Sequence, residues 1–335
     1  MTILTRRTLL AGAAVAGASA GLGWWNSQSA RAAATPAAGK QAASFYRYKV
    51  GTIEVTVVSD GVNRFPIPDG FILNAKKEEI NAALQAAFME KDFFTGPYNP
   101  IVLNTGTKLV LVDMGLGEAA YNSSKGMNGQ LLTNLAAAGI DHNAFDTIII
   151  SHYHGVHING LLKADSSIAF PNAEILVPAL EHKYWTDTGE ESRSSTQRIA
   201  DNFKNVRRVM SNAEVMKRLR TYEWDKEVIP GVLAVGTAGH IPGHTSYIVI
   251  SGTSKVYVQA DVTHAPFLFA RHPGWHAFYD HEPIAAEATR RKVYDMLSAE
   301  KMMVQGFHYP FPSVAHVEKT ATGYQEIPMP WNPVL

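Results

Sequence analysis

From Tyr46 onward, short apolar or alternating runs are separated by stretches of helical spacing. Gly51-Thr52-Ile53-Glu54-Val55-Thr56-Val57-Val58 alternates with a period of two, as a half-buried strand does. Ile101-Val102-Leu103-Asn104-Thr105 and Lys108-Leu109-Val110-Leu111-Val112-Asp113 read as two further strands, with Thr105-Gly106-Thr107-Lys108 as the hairpin turn between them. Residues 130–138 carry helical spacing and stop at Gly139, and Phe145-Asp146-Thr147-Ile148-Ile149-Ile150 is the next strand. The second half repeats the alternation. Strands are predicted over 174–177, 232–235, 246–250, 255–259 and 301–305, and helices over 194–203, 212–219 and 283–298. Two successive sets of strands followed by helices predict an α/β fold, an αββα sandwich of two mixed β-sheets flanked by helices. No low-complexity linker cuts residues 46–335, which are expected to form one domain.

The first residues follow another pattern. Arg6-Arg7 precedes an apolar Ala/Gly/Val stretch from Leu9 to Leu22, followed by small residues that include Ala30-Arg31-Ala32. This pattern predicts a twin-arginine signal peptide over 1–32, a flexible leader over 33–45 and a periplasmic location. The stretch is short and Gly/Ala-rich for a membrane span, so no stable membrane partner is expected after signal cleavage. The chain has 335 residues, 46% of them hydrophobic, with 30 basic and 30 acidic side chains and no cysteine. Zero formal charge without a Lys/Arg block argues against nucleic acid as partner. The lack of cysteine excludes disulfides, thiolate catalysis and cysteine-held zinc, so a metal would need His, Asp or Glu.

Candidate ligands of that kind stand at the ends of the predicted strands. Ser151-His152-Tyr153-His154-Gly155-Val156-His157 follows the Ile148 strand and offers three imidazoles in one tight loop. Thr237-Ala238-Gly239-His240-Ile241-Pro242-Gly243-His244-Thr245 adds two in a Gly/Pro-rich turn. Asp261 ends the Val256 strand and His308 ends the last one. Strand-end ligands can converge on one edge of a sandwich, where loops build sites on a rigid frame. His240 reads as a structural or outer residue, and His264 and Asp113 as candidates for a displaced ligand.

The order His-x-His-x-x-His, Pro-Gly-His-Thr, strand-end Asp and late His resembles the metallo-β-lactamase superfamily. Leu109-Val110-Leu111-Val112-Asp113-Met114-Gly115 is similar to its early Leu-Val-Asp-x-Gly strand. The tandem Gly-His at 239 and 243, Gly306-Phe307-His308-Tyr309-Pro310-Phe311-Pro312 and Gly323-Tyr324-Gln325-Glu326-Ile327-Pro328 resemble its exported subgroup, which includes methyl parathion hydrolase and related lactonases. The likeness runs from about Tyr46 to the end. It implies one metal on His152, His154 and His244 and a second on residue 156, His157 and His308, with Asp261 bridging. Residue 156 is Val where that motif carries Asp, and a valine has no lone pair, so the second site is expected to be weakened.

The resemblance further implies an exported hydrolase that uses a metal-held hydroxide on a lactone, aryl ester or organophosphate ester. Asp261 and His308 are its catalytic candidates, and one or two Zn2+ ions its cofactor, with Fe, Mn or Co as other metals. Phe93, Phe94, Tyr184 and Trp185 fall where the subgroup places its pocket walls, which points to a small, neutral, hydrophobic substrate. A homodimer is compatible with the sequence. Two rival readings stay open: a degenerate metal-binding member with little turnover, and a mononuclear iron enzyme.

Overall fold

Alternation along the central strands places successive apolar residues in two different cores. Leu111, Ile148 and Ile150 face one side of their sheet, while Val110, Val112 and Ile149 face the other. A computed structural model describes residues 37–39 and 41–335. The signal peptide expected over 1–32, and residues 33–36 and 40 of the leader expected over 33–45, lie outside the described residues.

β1 (Phe45–Val50) and β2 (Ile53–Val58) pair antiparallel, and β3 (Gly61–Pro66) and β4 (Phe93–Tyr98) form a small two-stranded sheet. β5 (Ile101–Asn104), β6 (Leu109–Val112), β7 (Thr147–Ile149), β8 (Glu174–Pro178) and β9 (Leu219–Tyr222) complete a seven-stranded sheet of order β1-β2-β5-β6-β7-β8-β9, parallel from β6 to β9. A second sheet runs in chain order through β10 (Glu227–Ile229), β11 (Val232–Gly236), β12 (Thr245–Ser251), β13 (Ser254–Ala260), β14 (Met303–Gly306), β15 (Val314–Lys319) and β16 (Tyr324–Pro328). Only its β13–β14 pair is parallel.

Three cores fill the layers. Val55, Val57, Val110 and Ile149 meet Val232, Tyr247, Val249 and Val256 between the sheets. Leu131 and Leu135, with Ile199, Phe203 and Val206, cover the outer face of the first sheet. Val293, Tyr294 and Leu297 of the Pro283–Glu300 helix cover the outer face of the second. The molecule is therefore the expected α/β sandwich with helices on both outer faces.

The departures from the sequence reading have local causes. The helix expected over 194–203 spans Gln197–Met210: Thr196 caps its start by accepting from Ile199 N, and Val206, Val209 and Met210 prolong its buried stripe. The Pro283 helix runs to Glu300 and is closed by Lys301 in a left-handed conformation (φ 50°), so the strand expected from Lys301 begins at Met303. Among the described residues no helix is long and apolar enough to cross a membrane.

Candidate metal centre

The loops after β6, β7, β11, β13 and β14 meet at one end of the sandwich, and each delivers a ligand-type side chain. After β6 the backbone turns sharply at Asp113 (φ 58°), whose carboxylate fixes the histidine loop. It accepts from Ser151 N at 2.9 Å, Ser151 Oγ at 2.8 Å and His157 Nδ1 at 2.8 Å. Asp113 thus acts behind the site through His157. Ser151 Oγ, its proton committed to Asp113, accepts in turn from His152 Nδ1 at 3.0 Å. His240 Nδ1 donates to Asp280 Oδ1 at 2.7 Å, and His308 Nδ1 donates to the Pro97 carbonyl at 2.9 Å.

These outer hydrogen bonds assign the tautomers. With the proton on Nδ1, the Nε2 atoms of His152, His157, His240 and His308 all carry lone pairs, and all four point at Asp261. Their distances to Asp261 Oδ2 are 3.6, 3.3, 3.4 and 3.2 Å respectively. His154 Nδ1 lies 3.2 Å from His152 Nε2 and 2.9 Å from His240 Nε2. One proton on His154 Nδ1 cannot satisfy both contacts. Asp261 Oδ1 and His154 Nε2 are buried with no hydrogen-bond partner among the described residues. Lone pairs converging on a buried carboxylate repel one another unless a cation lies among them, so the donor set fits a divalent metal.

Protonation preferences agree with that fit for His152, His154, His240 and Asp261. Burial, reinforced by neighbouring imidazoles, holds His152, His154 and His240 well below the usual histidine range. Burial alone would raise Asp261, but His308, His157, His264 and His152 hold it well below the carboxylate range. Burial opposes a charge on His157 as well, yet Asp261 and Asp113 together raise it to about 10. The first three imidazoles are thus neutral beside an ionised carboxylate, the protonation state that ligates, whereas His157 is an imidazolium that must release its Nε2 proton before it can ligate.

Two donor groups have ligand atoms within 4.8 Å of one another: His152, His154, His240 and Asp261; and His157, Asp261 and His308. Of the six residues expected as ligands, the structure brings five into these groups. His244 stands apart. Its Nδ1 meets Thr237 Oγ1 at 2.8 Å and the Thr237 carbonyl at 3.1 Å, and its Nε2 accepts from Asp261 N at 3.0 Å. Both ring nitrogens are thereby spent on holding the loops together, and burial pushes its pKa down to about 4. His240, expected to be an outer residue, supplies the fourth donor of the first group. His264 Nε2 lies 3.1 Å from Asp261 Oδ2, on a ring stacked against His308, and its Nδ1 is buried without a partner among the described residues.

Glu181 holds the two histidine loops in register from beneath. Fully buried, it accepts from Tyr153 N and Trp185 Nε1, both at 2.7 Å, while Gly243 packs so closely on its backbone that an added Cβ would lie 2.3 Å from Glu181 N. Burial pushes its pKa up to about 7 against hydrogen bonds from Tyr153, Trp185 and Gly243. Glu181→Ala strands these buried donors at about 1–3 kcal/mol each. It is expected to lower the unfolding free energy by at least about 2 kcal/mol in chemical denaturation; an unchanged midpoint would show that the clamp is dispensable.

The donor groups open into a cavity of about 460 Å³ lined by His154, Val156, His240, Asp261, His264 and His308. That is room for a drug-sized molecule on the usual scale of about 300–1,000 Å³. Phe65, Phe94, Tyr98, Phe278 and Tyr279 form its aromatic walls. Of the expected wall residues, Phe94 lines the cavity, and alternation along β4 turns Phe93 away under the Arg64 guanidinium, 3.8 Å from the ring centroid. Trp185 is buried against Phe203, and Tyr184 packs on both. Neither is among the residues that line this cavity. Arg198 and Asn202 do line it, and no sequence pattern had pointed to them.

The crystal structure of hydrolase AbOPH in the beta lactamase superfamily is 26% identical to this chain, covers 88% of it and 100% of its own chain, and superposes with a TM-score of 0.80. The dizinc quorum-quenching lactonase AidC shares the fold, with 24% identity, coverage of 86% of this chain and 98% of its own, and a TM-score of 0.79. A curated N-acyl homoserine lactonase from Bacillus sp is 26% identical over 163 residues, 44% of this chain and 56% of that relative, so the chain matches little more than half of the relative's length. A family model matches residues 94–301, from β4 through the histidine loops and Asp261 to the end of the last helix, and on that match the chain belongs to the metallo-beta-lactamase superfamily.

Proposed function

We propose that the chain is a metal-dependent hydrolase acting on lactones, aryl esters or organophosphate esters. The observation that carries this reading is the convergence of four Nε2 atoms, on rings whose Nδ1 protons are bound to outer acceptors, on the buried Asp261 carboxylate beside an aromatic cavity. His152, His154, His240 and Asp261 would hold the principal ion, and zinc suits three imidazoles with one carboxylate. Such an ion supplies Lewis-acid polarisation of the substrate's carbonyl or phosphoryl oxygen and makes water acidic enough to attack near neutral pH.

The chain's own residues do the rest. The aromatic walls bind the apolar part of a substrate and exclude water from the reacting bond. Asp280 and Asp113 keep the His240 and His157 rings oriented and their Nδ1 atoms protonated. Asp261 Oδ1, buried at the cavity floor without a hydrogen-bond partner among the described residues, is an acceptor placed to orient a donor there. His157, Asp261 and His308 offer a second ion only three protein donors, and Val156 lines the cavity where the superfamily motif has a carboxylate. We therefore read the centre as asymmetric, with one strong and one weak site. Support for the substrate class comes from the relatives: the AbOPH hydrolase and the Bacillus lactonase share about a quarter of the aligned residues with this chain.

The test is metal content measured alongside turnover of an N-acyl homoserine lactone, a 4-nitrophenyl ester and an aryl phosphotriester. Chelation is expected to abolish hydrolysis and zinc to restore it. Full metal loading with no turnover of any of the three substrates would sink the reading in favour of a protein that binds metal without hydrolysing these bonds.

A further inference from the structure

The cavity is not uniformly apolar. Beside the histidine loop it is lined by one face of the Gln197–Met210 helix, where Arg198, Asn202 and Asn205 follow one another at intervals of four and three residues. Asn205 is satisfied within the protein: its Nδ2 donates to Asn159 Oδ1 at 2.9 Å and its Oδ1 accepts from Arg208 at 2.9 Å. The two residues nearer the helix start are not. Asn202 Nδ2 is buried without a hydrogen-bond partner among the described residues. Arg198 is half-buried and makes no ion pair among them, and its guanidinium carbon lies 5.9 Å from the centre of the Phe278 ring, against the cavity wall.

The nearby carboxylates make no ion pair with Arg198, although the Asp280 charge reaches it and favours its charged form against burial. Asp201 accepts from Lys204 at 3.0 Å and from Gln197 at 2.9 Å. Asp280 is bound to His240 and lies 3.5 Å from Arg290. Arg198 is also the only Lys or Arg among the cavity-lining residues. A ligand that fills the cavity strips water from this guanidinium, and a cation dehydrated against aromatic rings needs a counter-charge. A neutral carbonyl would satisfy one N–H and bring no counter-charge of its own. A carboxylate would take the planar fork of Arg198 and a further hydrogen bond from Asn202 Nδ2.

We propose that Arg198 and Asn202 form a recognition site for a carboxylate on the part of the substrate that is not cleaved, so that the preferred substrates are acidic esters or lactones rather than neutral ones. This rests on the hydrolase reading above for the cleaved bond, while the binding site itself stands on the unpaired donors. The metal-loaded full chain is compared on two probes of equal length, 4-nitrophenyl hexanoate and the 4-nitrophenyl half-ester of adipic acid. The half-ester is expected to have a kcat/KM about 10-fold higher or more, mostly through KM, as loss of one hydrogen-bonded charge pair would imply. Arg198→Met is expected to remove that advantage and leave the hexanoate rate within about threefold, Arg198→Lys to restore part of it, and Asn202→Leu to reduce it severalfold.

Calorimetry of adipate against hexanoate binding gives a readout free of turnover: adipate is expected to bind about 10-fold more tightly, and Arg198→Met to erase the difference. Hydrolysis of neither ester with the adipate preference intact would count against the hydrolase reading alone. Equal binding of adipate and hexanoate, or an equal loss on both esters in Arg198→Met, would overturn the carboxylate site.

Discussion

His240→Ala is expected to strip the principal metal and, with it, hydrolysis. The residue contributes the Nε2 lone pair 3.4 Å from Asp261 Oδ2 and 2.9 Å from His154 Nδ1, and Asp280 holds it in that role. Loss of an outer partner such as Asp280 typically weakens metal binding by about 10–100-fold, so loss of the ligand itself should exceed about 100-fold. His154→Ala should behave in the same way, because its Nδ1 completes the same donor group.

His244→Ala is the discriminating companion. It deletes the acceptor of Asp261 N and the partner of Thr237, both buried, and should lower the melting temperature while leaving the four donor atoms of the first group in place. Metal titration of both variants, followed by bound-metal analysis, separates ligand from scaffold. Loss of metal in His244→Ala with retention in His240→Ala would reverse the assignment and return the site to the donor set that the superfamily resemblance implies.

Why one histidine of that turn joins the donor group while its neighbour is hydrogen-bonded through both ring nitrogens was beyond the reach of the sequence. His240 and His244 lie four residues apart in the same Gly/Pro-rich loop, and nothing local tells them apart. The choice is made by Asp280, forty residues on, which takes the His240 Nδ1 proton, and by Asp261 N, which occupies His244 Nε2. The strands were legible for the opposite reason: Val110 to Val112 and Ile148 to Ile150 alternate between two cores, so period two is written into consecutive residues. The gathering of ligand-type side chains at strand ends was legible too, because an apolar run that stops at a histidine or aspartate marks both its element and its exit. Phe94 was picked out as an aromatic, but the opposite facing of Phe93 follows only from pairing within the small β3–β4 sheet. Arg198 and Asn202 passed unnoticed among the many polar residues of an amphipathic helix, since a solvated face and a cavity-facing one look alike in one dimension.

Val156→Asp is expected to raise occupancy of the second metal site and to speed ester or lactone hydrolysis by on the order of 10-fold. Val156 lines the cavity together with His154, Asp261 and His308, within the short Gly155–Ile158 helix that also carries His157. An aspartate there would add an oxygen to the three donors His157, Asp261 and His308, giving the four protein ligands of a closed tetrahedral shell, or three with an open position if Asp261 leans towards the first site. The opposing term is desolvation. A carboxylate at the rim of an aromatic cavity, beside the Asp261 charge, destabilises the metal-free protein because two like charges share a poorly hydrated space. Val156 is only partly buried, so that penalty falls well short of full burial, and added zinc should reverse it. The two terms therefore predict opposite signs in one experiment: a lower melting temperature than the parent in chelator, and a larger rise on zinc addition. Parallel zinc titrations of Val156→Asp and parent, following melting temperature, bound metal and hydrolysis together, read both. Equal stoichiometry and equal rates would mean that valine at this position costs the second site nothing, and that His264, already 3.1 Å from Asp261 Oδ2, is the group to test next as its fourth ligand.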